Sequence, residues 1–289
     1  MKGSGNMSTA LVLEGGGMRG MYTSGVLDVM LEREIPVDGI LGVSAGALFG
    51  VNYFSGQRGR AIRYNLKYAG DKRYMGVRSL IRTGNLIGRE FAFYEVPFTL
   101  DVFDEGAFER SGGAFYAVIT NVRTGQAEYV KIDNVFEQME VLRATSAMPF
   151  VSKPVRYGKE YYLDGGIADS IPVKKCLDMG YDKVAVVLTR PLEYRKKPFG
   201  PAAEKAIRRK YGHLEELTES ILSRYQVYNE TVEELSRLEK EGRILVIRPS
   251  RTVKISRVEK RREKLMEMYR LGESDGREAI ERLEAYLKA

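Results

Sequence analysis

The sequence predicts an α/β fold: a three-layer α/β/α sandwich with a mainly parallel central sheet, carrying a helical C-terminal extension. Three stretches predict it. Leu11-Val12-Leu13-Glu14 reads as a short buried strand and runs into Gly15-Gly16-Gly17-Met18-Arg19-Gly20. A helical stretch follows from Met21 to about Glu34, with Val26, Val29 and Met30 on one face. Gly39-Ile40-Leu41-Gly42-Val43 is a second apolar run, and Ala45-Gly46-Ala47-Leu48-Phe49 resumes as helix, with Ser44 at the turn. Val184 to Leu188 is continuously apolar, as in a parallel strand covered on both faces. Repeated strand–loop–helix units of this kind place functional loops at the carboxyl ends of the strands.

The first loop offers donors. A glycine run between strand and helix exposes successive backbone N–H groups to one point, a nest for a phosphate or an oxyanion. The second loop offers a nucleophile. In Gly42-Val43-Ser44-Ala45-Gly46 the glycines at −2 and +2 remove side chains that would clash in a tight turn, so the Ser44 hydroxyl projects at a helix N-terminus. Two other readings compete. Ser44 is also a plausible capping residue of an ordinary β–α turn, and Gly15, Gly17 and Gly20 also fit the dinucleotide fingerprint G-x-G-x-x-G. The fingerprint calls for an acidic residue at the end of the second strand, whereas Asp38 precedes that strand and Ser44 occupies its end.

The middle of the chain, Tyr74 to Phe108, is rich in aromatic and aliphatic residues and poor in periodicity; it reads equally as a lid, an acyl-chain wall or core under long loops. Ala114 to Ile119 and Ala127 to Val130 flank Thr124-Gly125, a hairpin signature, and a helix is expected over about Val135 to Thr145. Tyr161-Tyr162-Leu163-Asp164-Gly165-Gly166 brings an aspartate out of an apolar strand into two glycines: a hairpin turn, or a carboxylate free to approach another strand end. Ser170-Ile171-Pro172 opens a further helix that Gly180 closes. The single histidine, His213, lies in a polar helix-start segment and reads as a solvated surface residue. With His213 set aside, Asp164 is the candidate base for Ser44.

Beyond Pro191 the texture changes. Leu214, Leu217, Ile221, Tyr225, Tyr228, Val232 and Leu235 mark one face of a long helix, and Arg243 to Ile247 reads as a strand. Ser256 with Glu259 suggests a capping box for a helix through about Leu271, with Ser274 capping a last one.

Four of these motifs together resemble the patatin-like phospholipases, serine lipid acyl hydrolases. Gly15 to Gly20 is similar to that family's oxyanion-hole motif, Gly42 to Gly46 to its nucleophile elbow, and Asp164-Gly165-Gly166 to its aspartate motif. Arg143 to Phe150 resembles a fourth block that lines the site. The resemblance covers about residues 10–190; the tail resembles an accessory C-terminal region of some bacterial members. It implies a catalytic domain over residues 8–190 and a helical extension, residues 191–289, packed on it. It implies a Ser44–Asp164 dyad without histidine, an oxyanion hole at Gly15, Gly16, Gly17 and Arg19, with Arg19 either fixing the glycine loop or meeting a phosphate, and hydrolysis of fatty acyl esters. No metal and no organic cofactor are expected. Small-ester or thioester hydrolysis by the same dyad, and nucleotide or lipid binding without turnover, are the alternatives.

Composition bounds the rest. At 289 residues and 44% hydrophobic content, one large domain or one domain with an extension can bury a sizeable core. One cysteine, Cys176, excludes an internal disulfide, and with one histidine a structural zinc site is implausible. Met1 to Met7 has no apolar core, so no signal peptide is expected and Met7 reads as the natural start. No run of ~18 apolar residues exists, so no transmembrane helix and a cytoplasmic protein are expected. The net charge is +7, and most of it lies between Arg190 and Lys210, where eight basic residues face two acidic ones. That run is either a solvated linker or a peripheral contact with anionic lipid at the inner membrane face. Nucleic acid is not expected, since no recognisable nucleic-acid module accompanies it. The sequence leaves the oligomeric state open.

Overall fold

The computed structural model describes residues 7–289; the expectation for the segment before Met7 lies outside them. Eight strands form one sheet: β1 (Thr9–Leu13), β2 (Gly39–Val43), β3 (Ala114–Asn121), β4 (Ala127–Ile132), β5 (Val155–Tyr157), β6 (Glu160–Asp164), β7 (Lys183–Val187) and β8 (Ile244–Ile247). Their order is β5-β6-β3-β2-β1-β7-β8, with β4 also paired to β3. The five strands β3-β2-β1-β7-β8 run parallel, and β4, β5 and β6 join antiparallel. The central strands are short and apolar because both faces are covered.

Ten α-helices accompany the sheet: α1 (Met21–Glu32), α2 (Ala45–Phe54), α3 (Arg60–Tyr68), α4 (Val77–Thr83), α5 (Glu105–Arg110), α6 (Met139–Thr145), α7 (Val173–Asp178), α8 (Pro201–Tyr211), α9 (Glu215–Lys240) and α10 (Arg262–Lys288), counted among the described residues. The strands sort these by alternation. Leu11, Leu13 and Ile40 pack with residues of α1, α2, α3 and α10. Ala10, Val12 and Leu41 point the other way, against α7 and the apolar stripe of α9. The C-terminal segment thus contributes to all three layers, with β8 in the sheet, α9 on one face and α10 on the other.

α10 docks on α1 through a close crossing. A Cβ on Gly25 would lie 2.2 Å from the Tyr269 carbonyl oxygen, and one on Gly272 would lie 2.1 Å from that of Tyr22. Only glycines let the two backbones come this near.

Two elements differ from the sequence expectation. The helix expected from Val135 starts at Met139, because Glu105 takes the N–H groups of Val135 and Phe136, and Gln138 takes those of Asp133 and Asn134. α10 is one continuous helix with no break at Leu271 or cap at Ser274, and it starts after Arg261, not at Ser256. The Glu259 carboxylate is committed to the Arg261 side chain and to the N–H groups of Lys260 and Arg261, so it does not reach back to Ser256. Between Glu90 and Leu100 the chain winds as a π-helix containing Pro97, which explains its poor 3.6-residue periodicity.

Candidate active site at the ends of β2 and β6

The strand register brings Ser44 to Asp164. β3 pairs with β2 from Ala114 to Val118 and with β6 from Ile119 to Asn121, while β4 covers Phe115 to Thr120. A strand has two edges, so β2 and β6 share the edge opposite β4. They run in opposite directions, and their carboxyl ends meet head-on: Val43 pairs with Val118, and Asp164 with Ile119. Ser44 Oγ donates to Asp164 Oδ2 at 2.7 Å, and both residues are buried.

The turn that holds Ser44 is strained. Its φ is +54° and its ψ −122°, a region that L residues rarely occupy. Its N–H donates to Thr145 Oγ1 at 2.9 Å, and Thr145 Oγ1 donates to the Val118 carbonyl at 2.5 Å. α6 therefore fixes the serine backbone to β3. Tightness shows at Gly46, where a Cβ would lie 2.4 Å from the Leu13 carbonyl, and at Gly42, where one would lie 2.6 Å from Ala47 Cα.

Asp164 is positioned by its own turn. Its N–H donates to the Ala147 carbonyl at 2.9 Å, its Oδ1 accepts from Gly166 N–H at 2.8 Å, and Thr120 Oγ1 donates to its carbonyl. Gly165 has no room for a side chain, since a Cβ would lie 2.1 Å from the Val118 carbonyl. Burial pushes the Asp164 carboxyl above its ordinary value. The Arg224 charge, the Ser44 hydroxyl and the Gly166 N–H oppose that rise.

The glycine loop after β1 lies directly against the serine. A Cβ on Gly15 would sit 3.0 Å from Ser44 Cβ. Among the described residues the N–H groups of Gly15, Gly16 and Gly17 have no protein acceptor, whereas Met18 N–H donates to the Arg257 carbonyl. Gly17 has φ +58° and leaves no room for a Cβ beside Arg257. Gly20 lets the loop rest on Phe49 and Ala45 of α2. Arg19 is buried, and its Nε has no partner.

Two cavities open from Ser44. One, of about 140 Å³, is apolar, lined by residues such as Leu48, Phe49, Ala92, Phe93, Val96, Met139 and Leu142. The aromatic middle segment is thus one of its walls. The other, of about 30 Å³, is polar and is lined by the glycine loop, Asp164, Arg19, Arg190, Lys196, Arg224 and Arg257. Both also touch Gly17, Met148 and Arg257. His213 is exposed and lines neither. Among the described residues no group of three His, Cys, Asp or Glu side chains is placed to hold a metal ion.

Sequence reasoning missed Thr145 as the anchor of the serine turn, and Lys196, Arg224 and Arg257 as site-lining cations. Arg224 carried a signal: it falls at the centre of the apolar stripe Leu217, Ile221, Tyr228, Val232, where a cation needs a reason.

A family model described as patatin-like phospholipase matches residues 11–177. The chain belongs to that family. Residues 214–288 match a second model, described as a domain of unknown function (DUF6363). The uncharacterized protein YjjU of Escherichia coli K12 is 32% identical over 199 residues, which is 65% of this chain and 54% of that protein. Lysophospholipase nte1 of Aspergillus niger is 27% identical over 191 residues, 62% of this chain and 12% of that protein. The chain thus spans about half of the first relative and a small part of the second. Among solved structures, VipD from Legionella pneumophila aligns with a TM-score of 0.46 at 14% identity, covering 96% of this chain and 67% of that one. No helix of the described residues is long and apolar enough to cross a membrane.

Proposed function

We propose that the chain is a lipid acyl hydrolase in which Ser44 is the nucleophile and Asp164 the base. The observation that carries this reading is the 2.7 Å Ser44–Asp164 hydrogen bond, set beside unclaimed glycine-loop N–H groups and an apolar cavity. Ser44 Oγ attacks the ester carbonyl as Asp164 takes its proton. The N–H groups of Gly15, Gly16 and Gly17 receive the oxyanion, each such donor typically being worth ~3 kcal/mol. Asp164 returns the proton to the leaving alcohol. It then takes one from the water that cleaves the acyl-enzyme and hands it to the departing Ser44 Oγ, which restores the dyad. The raised carboxyl suits this shuttle, because a base works best when its pKa approaches the working pH. The fatty acyl chain lies in the apolar cavity, which favours lipid over small-ester substrates.

In this reading residues 8–190 form the catalytic unit, residues 191–289 form the extension, and the exposed part of the basic run Arg190–Lys210 meets anionic membrane. The test is active-site labelling. Ser44→Ala is expected to abolish fluorophosphonate labelling and ester hydrolysis while circular dichroism stays that of the parent. Labelling that survives would name another serine.

A further inference from the structure

Five cations converge on the small polar pocket beside Ser44: Arg19, Arg190, Lys196, Arg224 and Arg257. Two carboxylates share its walls, Glu14 and Asp164. Glu14 is occupied by neutral donors: Oε2 accepts from the Thr189 N–H and hydroxyl, and Oε1 accepts from the Tyr228 hydroxyl. Asp164 is taken by Ser44 and Gly166. Among the described residues none of the five cations is in an ion pair. Lys196 Nζ donates to Ser170 Oγ at 3.0 Å and lies 3.6 Å from the Tyr228 ring centroid, and Arg190 covers the Tyr194 ring. The Nε atoms of Arg19 and Arg224 are buried with no partner at all.

Five like charges facing only two carboxylates, both already hydrogen-bonded to neutral donors, are costly unless an anion joins them. The cost shows in the side chains themselves. Burial, and then Arg190 and Arg257, lower the Arg19 guanidinium to about 10 against the pull of Glu14; burial, and then Arg224, lower the Lys196 ammonium against the pull of Glu14 and Asp164.

We propose that this pocket is a phosphate subsite, in which these five side chains hold the phosphate of an anionic acyl lipid while its acyl chain lies in the apolar cavity. The inference rests on Ser44 being the nucleophile. It gives the C-terminal segment a role: Arg224 on α9 and Arg257 before α10 reach the site from the stretch matched as a domain of unknown function. Arg257 also ties that stretch to the glycine loop through its carbonyl and Met18 N–H. At about 30 Å³ the pocket has room for roughly two waters, which suits a bare phosphate better than one bearing a bulky alcohol.

The test compares three esters of one chain length below their aggregation limit: 1-acyl lysophosphatidate, 1-acyl lysophosphatidylcholine and monoacylglycerol. Lysophosphatidate is expected to exceed monoacylglycerol at least about tenfold in kcat/KM, as charge-assisted recognition provides. Arg257→Gln and Arg190→Gln are each expected to lower that ratio about fivefold or more, mainly through KM. Equal kcat/KM for the three esters, or ratios unmoved in both variants, would overturn the subsite. Turnover of none of them would remove the hydrolase reading. The subsite is then judged by calorimetric binding of lysophosphatidate to the Ser44→Ala protein, which must be tight and must weaken with Arg257→Gln. Inorganic phosphate separates the sources: binding as tight as that of the lipid would assign the pocket to a free anion and overturn the headgroup assignment.

Discussion

The cavity on one side of Ser44 is walled almost wholly by carbon, whereas the pocket on the other is walled by charge. The carbon wall comes largely from neighbouring stretches of chain, Leu48 to Phe103 and Val135 to Val151. Its one buried cation, Arg60, is satisfied elsewhere, by the Asn52 side chain and the Asp101 carbonyl. The charged wall is assembled from five separate places: the glycine loop, the turn after β6, the segment after β7, α9 and the approach to α10. The difference concerns tolerance. An apolar wall works through summed volume, so a similar hydrophobic side chain can replace another at modest cost. A charged wall works through position, so losing one group changes which substrate is preferred. An ester with a greasy tail and a small anionic head would use both.

The largest expected effect removes the carboxylate bonded to Ser44, the serine that both chambers share. Asp164→Asn keeps the size of the side chain and loses the base, so kcat/KM on a soluble ester should fall by ~10²–10⁴. His213→Ala, at an exposed position, should stay within about threefold on the same assay, since it touches neither chamber. A folded His213→Ala protein that lost a hundredfold would overturn the dyad in favour of a triad of Ser44, Asp164 and His213.

Next comes the carbon wall. Across nitrophenyl esters of graded length, kcat/KM should climb about fourfold per methylene until the cavity fills, the transfer free energy of one CH₂ group. Ala92→Phe should stop that climb at a shorter chain, leaving the shortest esters little changed. A flat length profile in the parent protein would remove this cavity from acyl binding.

The anchor of the serine turn should show in stability. Thr145→Val keeps the shape but strips the Ser44 N–H and the Val118 carbonyl of their shared partner. The expected cost is ~1–3 kcal/mol in denaturant unfolding, with a fall in kcat. Unchanged stability would mean that the strain at Ser44 is held by other contacts.

The pH dependence has a definite sign. The Asp164 carboxyl is raised above its ordinary 3.8, so the acid limb of kcat/KM should lie above that value. Arg224 and Arg257 face the carboxylate and limit the rise. A raised folded-state value means that the protonated form is favoured in the fold. The stability Asp164 contributes is full below its unfolded value and is lost as pH rises through the folded one. Asp164→Asn should therefore melt no lower than the parent at neutral pH, an advantage that shrinks on acidification. An Asn variant that melts well below the parent at neutral pH would contradict this.

The smallest effect concerns the exposed remainder of the basic run, including Lys197, Lys205 and Arg209, beside exposed Leu192 and Phe199. Salt should weaken binding to anionic vesicles, given a Debye length of ~8–10 Å, and leave hydrolysis of a soluble short ester unchanged. Binding indifferent to salt would return these residues to ordinary solvation.

The sequence alone carried the local chemistry. Glycines at fixed offsets from Ser44, an aspartate followed by two glycines, and three apolar runs were enough for the strands, the turns and the fold class, because these depend on nearest neighbours and on the two-residue and 3.6-residue periods. The sequence also implied the Ser44–Asp164 pair. Their meeting was decided by tertiary structure, since it depends on β2 and β6 sharing one edge of β3, a register that neither strand encodes by itself. The charged pocket was harder still to read. In the sequence Lys196 is one member of a basic run. In the structure Asn229 pins its backbone through two hydrogen bonds, and its ammonium turns inward over Tyr228 while Lys197 stays in solvent. Arg257 sits in a stretch that reads as a helix start and is instead an irregular approach to α10, because Glu259 spends its carboxylate on Arg261. Charge runs have no period that tells inside from outside, so only the long-range packing of α9 and α10 determined which of these cations face Ser44.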